Sequence, residues 1–300
     1  MASSRNILLL GASGVLGSAL AETLGVRLAG RTYLRHPVEG GIAFDARTAS
    51  IRALVERLPA RPAAALVLVG ETRIDACAAD PRGTSEINVA GVVRVVGELA
   101  SLGIIPVFVS SDAVFDGQRA HSTEDAQPRP ILTYGRQKLE VERFMAAMPP
   151  PWIVVRLPKL LSPMIDDWIR GLGERASIAC ATDQYFTPMR AADAAAALIA
   201  LVDQQGAQGL YHLAGPERLS RRALLEAVIE EYRKHAQPAA SITECTMREI
   251  EKSQKLREAR PLDTSMRSTR LSVFKLPSVE PASSAARTMV REHFARQPRR

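Results

Sequence analysis

The chain has 300 residues, of which 46% are hydrophobic and 24% charged, and its formal net charge is +7 at pH 7. These are ordinary values for a globular protein that buries a core without disulfide staples. The charge does not predict a nucleic-acid binder, because only 5% of the residues are aromatic and the basic residues are scattered, apart from three arginines at the C-terminal tip. The positive surplus favours small anionic molecules such as nucleotides.

The three cysteines, Cys77, Cys180 and Cys245, are odd in number and far apart. This pattern predicts reduced, buried thiols and a cytoplasmic location. No apolar run approaches 18 residues, so we expect no membrane span. The apolar run at the N-terminus is too short for a signal peptide and ends in glycines. The five histidines are isolated, and no metal site is predicted.

Short apolar runs alternate with helical patterns in the first half, which predicts βαβ units around a parallel sheet. The runs ALVLV and PVFVS are apolar on both faces, as strands covered by helices should be. We expect strands at 6–10, 26–29, 65–69, 105–110 and 153–156, and helices at 16–24, 50–58, 85–102 and 134–148.

The pattern loosens beyond Pro158, where we place a domain boundary. The predicted fold class is α/β: a doubly wound parallel sheet of the Rossmann type, with a smaller C-terminal α/β region. Residues 1–158 would form an NADP-binding domain, and residues 159–300 would be mainly substrate-binding. We expect helices at 166–175, 191–203 and 220–235, the last capped by Ser220. The segment GLYHLAG, at 209–215, is expected to return to the first sheet, and the stretch after Arg291 to fray.

A glycine-rich turn follows the first predicted strand, in the segment GASGVLG. Gly11 allows a sharp turn, Gly14 a close approach of the backbone to a ligand, and Gly17 tight packing of the next helix on the strand. The N-terminus of that helix offers free N–H groups to a pyrophosphate. Ser13 can add a hydroxyl, and Val15 and Leu16 complete the predicted dinucleotide site. The alternative is a glycine turn used for packing alone.

The residues after the second predicted strand bear on the choice of dinucleotide. They read AGRT, with no carboxylate for the ribose of NAD and with a guanidinium, that of Arg31, for a 2′-phosphate. This favours NADP(H) and leaves NAD(H) open; the alternative is a solvated loop arginine. Asp45 and Ala46 follow a later strand, where adenine contacts are common, although Asp45 is as well explained by a capping or turn role.

Tyr134 and Lys138 stand four residues apart on a predicted helix and therefore share a face. A nearby ammonium is expected to bring the phenol pKa down from about 10 toward the working pH, which would suit acid–base work. The alternative is an exposed helical contact. Ser111, at the carboxyl end of the strand PVFVS, would point to the same cleft and hydrogen-bond a substrate oxygen; its alternative is a strand-end cap.

The chain resembles the extended short-chain dehydrogenases/reductases, and more closely their dTDP-4-dehydrorhamnose reductase branch. The similar segments run along most of the sequence: GASGVLG, VGETRIDACAADP, INVAGV, SSDAVFDG, YGRQKLEVE with the ED and P-x-P before it, DQYFTP, GLYHLAG and RPLDTSMRSTRL.

The resemblance implies a role for individual residues. Ser111 matches the catalytic Thr/Ser, Tyr134 the acid, and Lys138 the lysine that also holds the nicotinamide ribose. Gly70 and Thr72 fall where the family lines the cofactor, and Asn88 matches an asparagine behind the site.

The sequence departs from the branch at three places. Ala113 replaces a tyrosine, Gly70-Glu71 replaces paired alanines, and the run Arg-Thr-Ser-Trp, whose tryptophan lies in the substrate pocket, becomes RLPK, ending at Lys159. The cofactor half thus keeps the family pattern, and the substrate half is altered. The expected substrate-binding residues are Ser111, Asp112, Ala113 and Lys159.

The leading functional hypothesis is an NADP(H)-dependent reductase of a 4-keto sugar, linked to a nucleotide. One alternative is an NAD-dependent nucleotide-sugar epimerase or dehydratase, which would need further acid–base groups such as Asp112 or Glu71. The other is a non-catalytic, NADP-binding regulatory subunit, as in the beta subunit of methionine adenosyltransferase. The expected partner is a small molecule, not a nucleic acid or a membrane, and a homodimer stays open.

Overall fold

The computed structural model describes residues 5–296. The strands in that range are β1 (Ile7–Leu10), β2 (Leu28–Tyr33), β3 (Ile42–Ala43), β4 (Ala64–Val67), β5 (Ile105–Ser111), β6 (Ile153–Leu157), β7 (Ser177–Ala181), β8 (Tyr185–Phe186), β9 (Gly209–His212), β10 (Leu219–Ser220) and β11 (Ser241–Cys245). The α-helices are α1 (Val15–Leu24), α2 (Ile51–Val55), α3 (Ile74–Ala79), α4 (Pro81–Ser85), α5 (Val92–Ser101), α6 (Thr133–Ala146), α7 (Leu161–Glu174), α8 (Ala191–Asp203), α9 (Arg221–Tyr232), α10 (Met247–Ser253) and α11 (Ala282–Ala295). A π-helical turn, Glu86–Gly91, joins α4 to α5.

A seven-stranded parallel sheet forms the centre, in the order β3-β2-β1-β4-β5-β6-β9. The strand order reverses between β1 and β4, which is where ligands of doubly wound sheets bind, beyond the carboxyl ends of the strands. The predicted fold class is confirmed. The segment GLYHLAG supplies β9, which pairs with β6.

Both faces of this sheet are covered, which explains why its strands are apolar throughout. In β1, Ile7 and Leu9 pack on one side with residues of α1 and α8, whereas Leu8 and Leu10 pack on the other side with residues of α5 and α6. Successive side chains of a strand point to opposite faces, so a strand between two helical layers needs apolar residues at every position.

The C-terminal half builds a second core from α7, α9 and α11, around the buried Trp168. Strands β7 and β11 pair in parallel, and β8 and β10 pair antiparallel. Ser220 caps α9 as predicted, because its side chain accepts a hydrogen bond from the backbone N–H of Ala223. Helix α8 lies beyond residue 158 in the chain but packs on α1 and the central sheet. The domain boundary at 158 stays a prediction.

Several expected elements differ from the structure in their bounds. The helix expected at 50–58 ends at Val55, the one expected at 85–102 begins as a π-helical turn, and the one expected at 166–175 begins at Leu161. The second strand starts at Leu28 and not at residue 26, because residues 25–27 form a 3₁₀ turn that leaves Val26 exposed. The expected fraying after Arg291 is wrong as far as Ala295, because α11 buries one apolar face that includes Met289 and Val290. Residues 297–300 lie outside the described range. Within residues 5–296, no helix is both long and apolar enough to cross a membrane.

Candidate active site

A cavity of about 960 Å³ lies at the carboxyl ends of β1, β4, β5 and β6. It brings together most of the residues that the sequence predicts for the site. Those lining it are Gly11, Gly14, Val15, Leu16, Gly17, Thr72, Ser111, Asp112, Ala113, Tyr134, Lys138 and Lys159. The predicted residues that do not line it are Ser13, Arg31, Asp45, Ala46 and Gly70.

The glycine turn has the geometry that a pyrophosphate requires. Gly11 has a φ of +95°, and its N–H donates to Thr32 Oγ1 over 3.1 Å. A Cβ on Gly17 would lie 2.6 Å from the carbonyl oxygen of Gly11, so the helix and the turn touch there. A Cβ on Gly14 would meet nothing within 4 Å, and the backbone at the start of α1 is therefore open to the cavity. The turn fits a dinucleotide phosphate at a helix N-terminus.

Two other predicted cofactor residues, Arg31 and Asp45, have contacts of their own outside the cavity lining. Arg31 is part of β2, not of a loop after it, and its guanidinium lies beside Gly40. Asp45 makes a bidentate ion pair with Arg47 and accepts the Arg47 N–H over 3.0 Å, and the Arg47 side chain holds the pKa of that carboxyl below its usual value. Asp45 thus has the turn contacts of the alternative interpretation.

Of the remaining three, Ser13 is exposed, Ala46 is buried, and Gly70, at a φ of +144°, packs on Asn88. The Asn88 side chain accepts from the N–H of Glu71 over 2.7 Å and donates to the Glu71 carbonyl over 2.9 Å. Asn88 therefore fixes the loop after β4 from behind.

Lys138 is buried beneath Tyr134, one turn further along α6. Its Nζ donates to the Val109 carbonyl over 2.9 Å and lies 5.6 Å from the centre of the Tyr134 ring. Burial lowers the pKa of Lys138 to about 8, although the Glu142 carboxylate acts in the opposite direction. The ammonium is therefore partly deprotonated near neutral pH.

Ser111 ends β5 beside Asp112. Its hydroxyl donates to Asp112 Oδ1 over 3.0 Å and accepts the Ala113 N–H over 3.1 Å, which caps a 3₁₀ turn at Asp112–Val114. Ser111 therefore has the contacts of a strand-end cap and lines the cavity as well. Burial raises the pKa of Asp112, against hydrogen bonds from Thr264 and Ser111.

The expected lowering of the Tyr134 pKa is wrong in this structure. Burial raises that pKa above its ordinary value of 10, and the charge of Asp112 raises it further, while a hydrogen bond with Ser111 acts weakly in the opposite direction. The physical cause is that the neighbouring ammonium alone would lower this pKa, whereas the loss of water around the phenolate raises it more. The phenol therefore stays protonated.

Sequence reasoning missed most of the substrate half of the cavity. The C-terminal region contributes Gln184, Arg221, Met247, Arg260 and Thr264 to its lining. The segments DQYFTP and RPLDTSMRSTRL, already singled out for their resemblance, contain three of these five. No pattern in the sequence pointed to Arg221 or Met247.

A buried polar network lies behind the site and was also missed. Glu142, one turn after Lys138, pairs with Arg156 through three hydrogen bonds of 2.6–3.2 Å and accepts a bond from Ser110. Arg156 also lies 3.3 Å from His212 Nε2, and the His212 N–H donates to Glu124 over 3.0 Å. The spacing of Glu142 from Lys138 was the available signal.

Comparisons with known proteins show which family the chain belongs to. Residues 5–293 match the family described as RmlD substrate binding domain. The chain is 26% identical to methionine adenosyltransferase 2 subunit beta of Xenopus tropicalis, over 76% of this chain and 72% of that protein. It is 25% identical to dTDP-4-dehydrorhamnose reductase of Burkholderia thailandensis, over 76% and 78%. The solved dTDP-4-dehydrorhamnose reductase of Bacillus anthracis, in complex with NADP, has a TM-score of 0.79 at 20% identity, over 96% of this chain and 99% of that one.

The family match covers nearly the whole chain, and the Bacillus anthracis reductase has the same fold. The chain belongs to the RmlD substrate binding domain family, in the dTDP-4-dehydrorhamnose reductase-like branch of the extended short-chain dehydrogenases/reductases.

Proposed function

We propose that the chain is an NADP(H)-dependent reductase of a 4-keto sugar linked to a nucleotide. The single observation that carries this proposal is that one cavity contains both the open glycine turn of α1 and the side chains of Ser111, Tyr134 and Lys138. A dinucleotide anchored at the turn and a carbonyl beside the phenol would then share one enclosure, as hydride transfer requires.

When bound, NADPH supplies the hydride. The chain's own residues handle the substrate oxygen and its proton. Ser111 turns its hydroxyl from Asp112 to the carbonyl oxygen, and Tyr134 donates its proton as negative charge develops there. The raised pKa of Tyr134 keeps that proton on the phenol before reaction, which is the form that a proton donor needs. Lys138 stabilises the phenolate that remains.

The proposed cofactor is NADP(H), with NAD(H) as the alternative. The Bacillus anthracis reductase, of the same fold, is a complex with NADP. Arg31 is the proposed contact for the 2′-phosphate, from the carboxyl-terminal half of β2. Replacing it, Arg31→Ala, is expected to weaken NADPH binding about tenfold or more and to leave NADH binding nearly unchanged. Equal effects on both dinucleotides in a fluorescence titration would contradict that role.

The test of the whole proposal is NADPH binding followed by turnover. NADPH fluorescence is titrated first, and NADPH consumption is then measured with dTDP-4-dehydrorhamnose and other 4-keto nucleotide sugars. Tyr134→Phe is expected to lower kcat by about 10²–10⁴ and to leave NADPH affinity unchanged. The control is Tyr211→Phe, since that hydroxyl bonds the Gln208 carbonyl away from the cavity. Turnover that survives Tyr134→Phe would refute the acid assignment.

A non-catalytic subunit remains the second candidate, because the Xenopus tropicalis relative is named as a subunit of methionine adenosyltransferase 2. That function predicts NADPH binding without consumption of NADPH by any 4-keto sugar. It also predicts that Tyr134→Phe changes nothing measurable. The same titration and assay therefore separate the two candidates.

A further inference from the structure

Two cations line the substrate half of the cavity without a partner within residues 5–296. Lys159 has access to solvent there, and its ammonium takes part in none of the hydrogen bonds or ion pairs of the described chain. Arg221 also lines the cavity, with its guanidinium 5.3 Å from the Trp168 ring, and it forms no ion pair with a carboxylate of the described residues. An anionic ligand is the natural partner of two such cations.

Apart from Lys138, whose ammonium donates to the Val109 carbonyl, the other cations around the cavity already have carboxylate partners. Arg260 pairs with Asp75 over 2.6 Å, and Arg73 pairs with Glu71 over 2.8 Å. Partial loss of hydration beside the cavity wall lowers the pKa of Lys159, repulsion from Arg221 lowers it further, and Asp112 opposes both effects. The two free cations are thus near enough to repel each other, and an anion between them would relieve that repulsion.

Their position places that anion beside the reacting group. Lys159 lies two residues beyond Leu157, which is the register partner of Ser111. Lys159 and Ser111 both line the cavity at the carboxyl ends of these neighbouring strands. Arg221 begins α9, held by a 2.8 Å bond from its N–H to the Gln184 carbonyl. Both side chains can therefore reach a substrate whose carbonyl meets Ser111.

We infer that Lys159 and Arg221 form a subsite for an anionic group of the substrate, a phosphate or a carboxylate. This inference rests on the proposed reductase function and deepens it. The diphosphate of a nucleotide-linked sugar and a carboxylate on the sugar itself present the same kind of oxygen to an ammonium and a guanidinium. They differ in whether the nucleotide or the sugar carries the charge.

The experiment is calorimetric titration of the protein saturated with NADPH, so that the glycine turn is already filled. The probes are UDP, dTDP, inorganic pyrophosphate and glucuronate. Lys159→Gln and Arg221→Gln are each expected to weaken the binding of the recognised probe by about 10- to 100-fold. The control is Arg222→Gln, which removes the same charge from the same turn of α9, because Arg222 pairs with Glu226 and Glu244 and does not line the cavity.

The probes distinguish the two sources of the anion. Binding of the diphosphates alone assigns the subsite to the nucleotide linkage, and binding of glucuronate assigns it to the sugar. Wild-type protein that binds NADPH but none of the probes overturns the inference and leaves the reductase proposal standing. Equal losses in Arg221→Gln and Arg222→Gln, with probe binding unchanged in Lys159→Gln, also overturn it. A wild-type protein that does not bind NADPH overturns the reductase proposal itself.

Lys159→Gln keeps the inference testable if Arg221→Gln fails to fold. Arg221 packs beside Trp168 in the C-terminal core, so its replacement can disturb that core, whereas Lys159 has access to solvent. Added salt gives a second readout, because an electrostatic subsite loses affinity as ionic strength rises. That salt dependence is expected to be shallower in either variant than in wild type.

Discussion

Removal of the buried charge of Glu142 is expected to destabilise the protein strongly. Glu142 and Arg156 expose only 7% and 3% of their side chains, and three hydrogen bonds of 2.6–3.2 Å join them. Glu142→Gln keeps the shape but leaves the Arg156 guanidinium buried beside a neutral amide and the His212 ring. Breaking a buried ion pair from one side costs about 3–5 kcal/mol, and we expect the free energy of unfolding to fall by that amount.

The assay is urea denaturation followed by circular dichroism, with Glu140→Gln as the control. Glu140 is exposed on the same helix, so its replacement should change the free energy of unfolding by less than about 0.5 kcal/mol. The double replacement of Glu142 and Arg156 by leucine and methionine should cost less than the sum of the two single replacements, since no charge is then left buried. A Glu142→Gln protein within about 1 kcal/mol of wild type would refute this reasoning.

Glu142→Gln should also change the pH dependence of activity. The Glu142 carboxylate raises the pKa of Lys138, which burial has lowered to about 8. Without that carboxylate the Lys138 pKa falls further, so the ammonium is lost at lower pH. The alkaline limb of kcat/KM is therefore expected to move to lower pH in the variant. A merely structural role for Glu142 would lower stability and leave that limb in place.

Two further predictions concern pH and the glycine turn. Burial lowers the pKa of His212 from 6.5 to about 4, so between these pH values the unfolded chain binds a proton and the folded chain does not. The free energy of unfolding should therefore fall by about 3 kcal/mol as the pH drops from about 6.5 to 4. Urea titrations of His212→Gln should show a flatter dependence of that free energy on pH. An unchanged profile would contradict this. Gly17→Ala should destabilise the protein by about 1–3 kcal/mol, because its Cβ would lie 2.6 Å from the Gly11 carbonyl oxygen. Gly14→Ala should weaken NADPH binding without loss of stability, because its Cβ would meet nothing within 4 Å. Equal thermal stability of the two glycine variants would refute the packing argument.

Much of the fold could be predicted because its signals are local. Helix α8 was expected at 191–203 and lies there, and Ser220 caps α9, since both follow from periodicity and from a single side chain. The short strands of the C-terminal half, β7 and β11, were missed. Each is only five residues long, and their pairing joins segments far apart in the chain, which no local pattern reports.

The pKa of Tyr134 shows where local reasoning about the site fails. Spacing on a helix correctly places Lys138 beneath the phenol, but it does not report how much water the cavity walls exclude. The Lys138 ammonium is engaged by the Val109 carbonyl, and Asp112 adds negative charge near the phenol. Desolvation and Asp112 therefore prevail over the attraction that the spacing suggests. The spacing along one helix is enough to predict which two groups lie together. The direction of their pKa shifts depends on tertiary burial, which the spacing does not report.

The two halves of the cavity differ in the same way. The glycine turn is one continuous segment, so seven consecutive residues are enough to predict what it binds. The substrate half is assembled from the end of β6, from β8 and β10, whose pairing sets Ser220 opposite Tyr185, and from the segment that contains Arg260. Lys159 and Arg221 become neighbours only because β6 and the β8–β10 pair meet at the cavity. A change of substrate within this fold can therefore arise from substitutions at a few positions that are far apart in the sequence, while the cofactor turn stays the same. The unpaired charges at those positions indicate the substrate more directly than the glycine turn does.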